Sequence, residues 1–299
     1  MRTPETLIKY ASTDTAKLIL SNQTLRWSSP ELFEDPWELR ADPQLPFDHL
    51  SVNQAMLKTA SAMIFTRDLP SGDLNHPLYK AIRRWRAEDR FHDESEAYGA
   101  LSELLSATAG TLELKLRKLE CAWQKMISSA RVLAMSDTVR DPGSWRRYAD
   151  SHRGVALKFD CRESGPLTDA RQVSYSNVRP TLTTVREQVK DLVGLTRSQT
   201  GGTMQDKLLM KSRADAGERE WRVLRVSDAD GFASSEDPAT WYLDEGFQAD
   251  DLRSVYFGSN ITAEDQAEIT ALANERYSPI VFYRTVLAAE TYEMEFERI

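Results

Sequence analysis

The sequence predicts an α+β fold: a mixed, mostly antiparallel sheet drawn from both ends of the chain, carrying a helical insertion. Three observations lead there. Short runs of strand character occur near the start of the 299-residue chain and return beyond residue 131. Between them, apolar residues recur close to a 3.6-residue period, as a helix facing a core requires. From 154 to 160, Val155, Leu157 and Phe159 alternate with Ala156, Lys158 and Asp160, the pattern of a strand with two unlike faces. The expected domains are therefore 1–43 with 131–299 as the α+β core, and 44–130 as the helical insertion.

Taken in order, 6–10 (Thr-Leu-Ile-Lys-Tyr) reads as a first strand. Ser12 can cap a helix over 15–21, because a serine side chain accepts from the free amides of a first turn. Leu25–Ser28 is a second strand, broken at Ser29-Pro30, since a residue before proline is driven to extended geometry. The following loop sets Phe33 and Trp37 as apolar anchors among Glu31, Glu34, Asp35 and Glu38. Rigid loops of this kind commonly carry function. In the insertion, Leu50, Val52, Met56, Leu57 and Met63 mark one helix, and Pro77 opens another with Leu78, Ile82 and Trp85 on one face. Leu101, Leu104, Leu105, Thr108, Leu112, Leu116, Leu119, Trp123 and Ile127 trace one long helix, with Gly110 as its point of interruption. Strands are expected again at 131–136, 154–160, 173–175 and 220–226. A helix is expected over 181–195, a Gly/Ser/Thr loop over 198–203, and a short helix over 204–210. A helix opened by Thr262 and Asp265 runs over 262–276. A hairpin of 281–287 with 291–297 closes the chain.

Composition narrows the function classes. The net charge is −8, from 38 Lys and Arg against 46 Asp and Glu, which argues against general coating of nucleic acid. Cys121 and Cys161 offer neither metal-ligand spacing nor a disulfide framework and suit a reducing, cytoplasmic location. No apolar run is long enough to span a membrane, so no membrane partner is expected. Gly-x-Ser-x-Gly, Cys-x-x-Cys and His-Glu-x-x-His patterns are missing, and Gly201-Gly202 lacks the Lys-Ser/Thr of a phosphate loop.

Several separated motifs share one order. They are Lys9-Tyr10; Trp27-Ser28-Ser29-Pro30 with Phe33-Glu34-Asp35-Pro36-Trp37-Glu38; and Met135-Ser136. They continue with Trp145, Tyr148-Ala149-Asp150, His152-Arg153-Gly154 and Phe159-Asp160. Lys211, Glu218-Arg219-Glu220-Trp221-Arg222 and Val255-Tyr256-Phe257-Gly258 complete the set. Together they resemble a large bacterial family described only as domain of unknown function 2971, across roughly the whole chain outside the helical block. Two positions depart from that pattern. Glu34 stands where the family has Asn, and Arg146-Arg147 precede Tyr148 where it has Ser-His.

The order also resembles that of mono-ADP-ribosyltransferases, whose triad is Arg or His, then Ser or Tyr, then Glu. That resemblance implies NAD as the small molecule used. It places Lys9 or Tyr10 at the first position, Ser28 at the second and Glu220 at the last, with Glu218 assisting. Lys9 lacks the planar fork of Arg. Glu220 would hold the nicotinamide ribose and stabilise positive charge as nicotinamide leaves. Tyr10 and Ser28 would position the nicotinamide side. Lys9, Tyr148, His152 and Arg153 would bind the rest, by stacking and by phosphate contacts. The role implied is a bacterial effector, of a toxin or phage-defence type, acting on a macromolecular target.

Other readings of the same residues stay open. Asp35 and Glu38, with Glu218 and Glu220, are oxygen ligands suited to Mg²⁺ in a metal-dependent nuclease. Alternatively Asp35 caps the turn before Pro36, and Glu218 and Glu220 pair with Arg219, Arg222 or Lys211 on a solvated strand edge. Trp145 and Tyr148 can be core. The basic stripe Arg83-Arg84-Trp85-Arg86 with Arg90 can be a salt-bridged face. In that case the motifs define the fold of a non-catalytic binding or regulatory protein.

Overall fold

The computed structural model describes residues 4–39, 45, 47–105, 109–195, 203–226, 237–277 and 279–299. In chain order its elements begin β1 (Thr6–Ala11), α1 (Thr13–Asn22) and β2 (Thr24–Ser28). Four helices follow: α2 (His49–Phe65), α3 (Pro77–Ala87), α4 (Glu94–Leu105) and α5 (Ala109–Ser129). Next come β3 (Ala130–Ser136), α6 (Pro142–Tyr148), β4 (Val155–Asp160), β5 (Arg171–Gln172), β6 (Ser174–Ser176) and α7 (Val185–Leu192). The chain closes with β7 (Met210–Ser212), β8 (Glu220–Val226), β9 (Tyr242–Gly246), β10 (Leu252–Phe257), α8 (Ala263–Arg276), β11 (Val281–Leu287) and β12 (Met294–Arg298). The expected α+β class is what the chain adopts.

Two compact units result. Met1–Ala41, Met126–Arg179 and Leu209–Ile299 form the sheet unit; Asp42–Lys125 and Pro180–Leu208 form the helical one. The sequence assigned 180–208 to the sheet. Instead Val189 and Val193 of the α7 region enter the helical core beside Val52, Met56, Ile82, Leu101 and Leu116. The period within α7 announces an apolar face but not which core receives it. The single long helix expected from 95 onward is two, α4 and α5, and Gly110 falls inside the start of α5. Thr108, and residues 198–202 of the expected Gly/Ser/Thr loop with Gly201-Gly202, lie outside the described residues, as do the side chains of Leu104 and Leu105. Arg86 of the basic stripe is structural: its Nη1 donates to the carbonyls of Met63, Ile64 and Thr66 at 2.7, 2.8 and 2.7 Å, closing the end of α2. Those are the carbonyls a helix end leaves without partners.

In the sheet unit the strand order is β12-β11-β10-β4-β1-β3-β2-β9, with β8 on β3 and β5 on β8. Pairing is antiparallel except between β10 and β11; β6 and β7 form a separate parallel pair. β3 is the pivot. One edge carries β8 from Ala130↔Val226 to Ser136↔Glu220. The other is shared: β1 meets it at Ile8↔Ser136 and β2 at Ser28↔Val132. β1 and β2 therefore part along β3.

Alternation sorts the side chains. Leu7, Leu133, Met135, Leu157, Phe159, Trp221 and Val223 pack with Ala16 and Leu20 of α1 and Ile269 and Ala273 of α8. Ile8, Tyr10, Ala156 and Tyr256 belong to a second cluster with Trp145. Burial of each large apolar side chain is worth about 1.5–3 kcal/mol. Ser12, Asp141 and Thr262 cap α1, α6 and α8 through bonds from Thr15, Ser144 and Asp265. No helix among the described residues is long and apolar enough to cross a membrane.

Candidate functional site

Where β1 and β2 part, a cleft of about 570 Å³ opens. Its walls come from five places. β1 gives Ile8, Lys9 and Tyr10, and β3 gives Ala134, Met135 and Ser136. The loop after β2 gives Leu32, Phe33, Glu34, Asp35 and Glu38. α6 gives Ser144, Arg147 and Tyr148, and the segment around β7 and β8 gives Lys211, Asp215, Glu218 and Glu220. The amino-terminal strand and residues beyond 210 thus meet across β3.

A charge cluster forms the floor. The ammonium of Lys211, almost wholly buried, lies 2.6 Å from Glu218, 3.1 Å from Glu220 and 3.5 Å from Glu38. Arg222, fully buried, donates through Nε to Glu220 at 2.7 Å and pairs with Glu38. Arg147 bridges Asp215, at 2.9 Å, and Glu218. Tyr148 donates its hydroxyl to Glu218 at 3.0 Å and accepts from Lys211 at 3.3 Å. Each of the four carboxylates, Glu38, Asp215, Glu218 and Glu220, thus meets at least one of the three cations, as buried charges require.

The convergence of Glu218 and Glu220 has a local cause different from simple strand alternation. Glu218 ends a 3-10 turn, Glu220 begins β8, and Arg219 between them is left-handed at φ 48°. That one residue turns both carboxylates onto Lys211 and sends its own side chain outward to Asp137, at 2.6 Å. The backbone is pinned on both sides. Ser136 Oγ donates to the Glu218 carbonyl at 2.7 Å, and the Glu220 amide donates to Tyr175 OH at 2.7 Å. The alternative in which these acids pair with Arg222 and Lys211 is therefore met in its partners. They are buried, however, and do not lie on a solvated edge.

Burial shifts the titrating groups. Glu220 is pushed up to about 7 by desolvation, with Glu218 adding to the rise and Lys211 and Lys9 opposing it. Lys9 is drawn down to about 8 by burial, with Glu220 partly offsetting this. Burial works against charge on Lys211, but Glu220, Tyr148 and Glu218 outweigh it and hold the ammonium above its ordinary value. Tyr148 is raised by burial, against the pull of Lys211.

Of the residues singled out from sequence, Lys9, Tyr10, Tyr148, Glu218 and Glu220 come together in the cleft, as do Asp35 and Glu38. Tyr10 also donates to the Thr138 carbonyl at 2.8 Å and packs edge-on against Trp145. Ser28 is not in the cleft. It is held in β2 opposite Val132 and Tyr242, and the serines at the wall are Ser136, which ends β3, and Ser144 of α6. Ser28 and Ser136 both end strands, and only the pairing shows that β3 is the inner one. His152 and Arg153 are also elsewhere. Asp150, Ser151 and His152 have φ of 44°, 52° and 68°, a left-handed turn that lays His152 on Trp145 at 6.3 Å between ring centres. Arg153 pairs with Asp150. Gly154 follows because a Cβ there would lie 2.1 Å from the Ala11 carbonyl. Trp145 is core, donating Nε1 to Val139 O at 2.7 Å.

Asp35 caps its turn, accepting from the Trp37 amide at 2.8 Å, while also lining the cleft. Trp37 is no anchor: it is 68% exposed, with the Arg179 guanidinium 5.4 Å from its ring. Glu38 is bound to Arg222 and Lys211. Among the described residues no group of three His, Cys, Asp or Glu side chains is placed to hold a metal ion. The point shared by Glu38, Glu218 and Glu220 is taken by the Lys211 ammonium. Arg147, Lys211 and Arg222 had no roles in the site read from sequence, although Lys211 and Arg222 stand in the motif set and Arg147 occupies the position of the family's His.

No family model matches the chain, and no curated protein or solved structure does so. The resemblances drawn from motif order rest on the motifs themselves.

Proposed function

We propose that the cleft is an NAD-consuming active site of the ADP-ribosyltransferase type, with Glu220 as its working carboxyl. The observation that carries this reading is the meeting of Tyr10 and Glu220 in one cleft, with Glu220 titrating near 7. A carboxyl poised there is charged often enough to stabilise a developing ribosyl cation and basic enough to accept a proton. Tyr10, Phe33 and Tyr148 supply aromatic surface for a pyridinium ring. Glu34 and Asp35 at the same wall favour that cationic end and disfavour phosphate, so Lys9 and Arg147 are the groups for the anionic half. In the simplest reaction the glycosidic bond at C1′ breaks and its electron pair leaves with nicotinamide. The oxygen of water, or of a target's nucleophile, bonds to C1′, and its proton passes to Glu220. The motif order that resembles that of mono-ADP-ribosyltransferases supports the same assignment at its first and last positions, Lys9 or Tyr10 and Glu220, while Ser28 at the second lies outside the cleft.

A second reading is favoured by one observation: every carboxylate on the cleft floor already has a cationic partner. Such a floor suits a non-catalytic binding protein. The magnesium-nuclease reading requires Lys211 to be displaced from between its three carboxylates. The test is nicotinamide release from NAD by the purified protein, with and without magnesium, beside Glu220→Gln and Tyr10→Phe. Release that falls by roughly 100-fold or more in Glu220→Gln, in line with loss of a catalytic charge, supports the first reading. No release with intact folding favours the second.

A further inference from the structure

Lys9 is the cation of the cleft that the charge cluster leaves out. Arg147, Lys211 and Arg222 each have carboxylate partners, whereas among the described residues Lys9 has no ion pair. Its Nζ makes one hydrogen bond, to the Ala134 carbonyl at 3.0 Å. That carbonyl belongs to the stretch of β3 between its contacts with β1 and β2. In β1, Lys9 shares a face with Leu7 and Ala11, both in the apolar core, so its stem begins on the dry side of the sheet. A lysine is rarely held this way without an acid beside it. Desolvated lysines near a proton donor are the ones that act as nucleophiles.

We propose that Lys9 is a nucleophilic lysine that condenses with an aldehyde bound in the cleft, with Glu220 as the proton donor. The amine nitrogen attacks the carbonyl carbon, the carbonyl π pair moves to oxygen, and one proton passes from the nitrogen to that oxygen. The resulting carbinolamine loses water, its hydroxyl leaving with a proton from the Glu220 carboxyl, and the nitrogen lone pair closes the C=N bond. No oxidant or reductant is needed. The ligand class is a small polar aldehyde, such as an open-chain sugar. The aldehyde form of a ribose freed at C1′ belongs to it, but the imine step does not require NAD cleavage. Glu220, on β8, is the acid whose charge Lys9 feels, and it titrates near 7, so its protonated form is present at neutral pH. With Lys9 drawn down to about 8 from 10.5, its neutral amine is more than roughly a hundredfold commoner at pH 7 than that of a surface lysine.

The test uses the full chain, glyceraldehyde and sodium cyanoborohydride, which reduces an imine to a stable secondary amine. Peptide mass spectrometry then follows the label at each lysine over time. Lys9 is expected to label at least about tenfold faster at pH 7.5 than the exposed Lys58, Lys80 and Lys118. Its labelling rate is expected to reach half its maximum near pH 8, where an unperturbed lysine amine is still mostly protonated. Labelling of Lys9 at or below the surface rate overturns the proposal, and so does a pH midpoint shared with the surface lysines. Neither readout depends on a variant that has to fold or on any activity toward NAD.

Discussion

Replacing Lys211 with methionine removes the ammonium at the centre of the charge cluster and keeps the length of the apolar stem. Three carboxylates lie within 3.5 Å of that ammonium, and all belong to side chains that are nearly buried. Deleting one partner from a buried ion network costs about 3–5 kcal/mol, because the charges left behind stay desolvated. Arg222 still holds Glu220 and Glu38, and Arg147 still holds Glu218, so the lower end applies, about 3 kcal/mol. That corresponds to a fall of roughly 6–12 °C in the melting temperature of a domain of this size. The deficit has a signature in pH. Lys211 restrains the upward shift of Glu220, so its loss lets the carboxyl rise further. A carboxyl raised above its unfolded value favours folding at low pH and loses that contribution as pH increases. The variant is therefore expected to suffer most near pH 8 and to recover toward pH 5. Thermal melts of both proteins, followed by near-ultraviolet circular dichroism at the two pH values, read this directly. A loss under about 1 kcal/mol that does not change with pH is what an exposed ion pair gives, and it would refute the buried cluster.

Three other outcomes are expected. Lys9→Met should stabilise the fold at pH 7 by about 1–3 kcal/mol in urea unfolding, since a base lowered to about 8 binds its proton less tightly folded than unfolded; destabilisation would contradict the desolvation of Lys9. Glu220, raised from 4.5 to about 7, makes a contribution that is complete below pH 4.5 and lost as pH rises through 7. The wild type should accordingly lose more urea resistance between pH 5 and pH 8 than Glu220→Gln does, by an amount up to about 3 kcal/mol; equal slopes would count against it. Gly154→Ala forces a methyl group to within 2.1 Å of the Ala11 carbonyl. A loss of about 3 kcal/mol or more in thermal unfolding is expected, because backbone stands on both sides of the clash.

How far the sequence could be read follows from the range over which each signal acts. β8 is marked by seven residues of strand character, α8 by its Thr262 cap, and the closing hairpin by two apolar runs; these signals are local and the elements form where they point. Partnering is not local. Nothing within α7 says that Val189 belongs with Leu101 and not with the sheet. Ser28 and Ser136 look alike until β3 is seen to carry β1, β2 and β8 at once. The cleft was half legible. Glu218 and Glu220 announced themselves by spacing, although the left-handed Arg219, not extended geometry, turns them together. Trp37 and His152 misled for different reasons: the Trp37 ring stays exposed while only its amide joins the Asp35 turn, and the His152 ring lies on Trp145 at a left-handed turn. A residue in a distinctive motif can serve the turn through its backbone or lie on the core beside it, and the motif reads the same as one that lines a site. Arg147 escaped because its partners, Asp215 and Glu218, are about 70 residues away along the chain.

The central claim is that two distant segments meet across β3 and enclose the Glu220 carboxyl. Carboxyl-¹³C NMR of protein labelled at glutamate, with Glu220→Gln to assign the resonance, measures it without reference to any reaction. A titration midpoint near 7 is expected. A midpoint at the ordinary value of 4.5 would place that carboxyl in water and contradict the enclosed site.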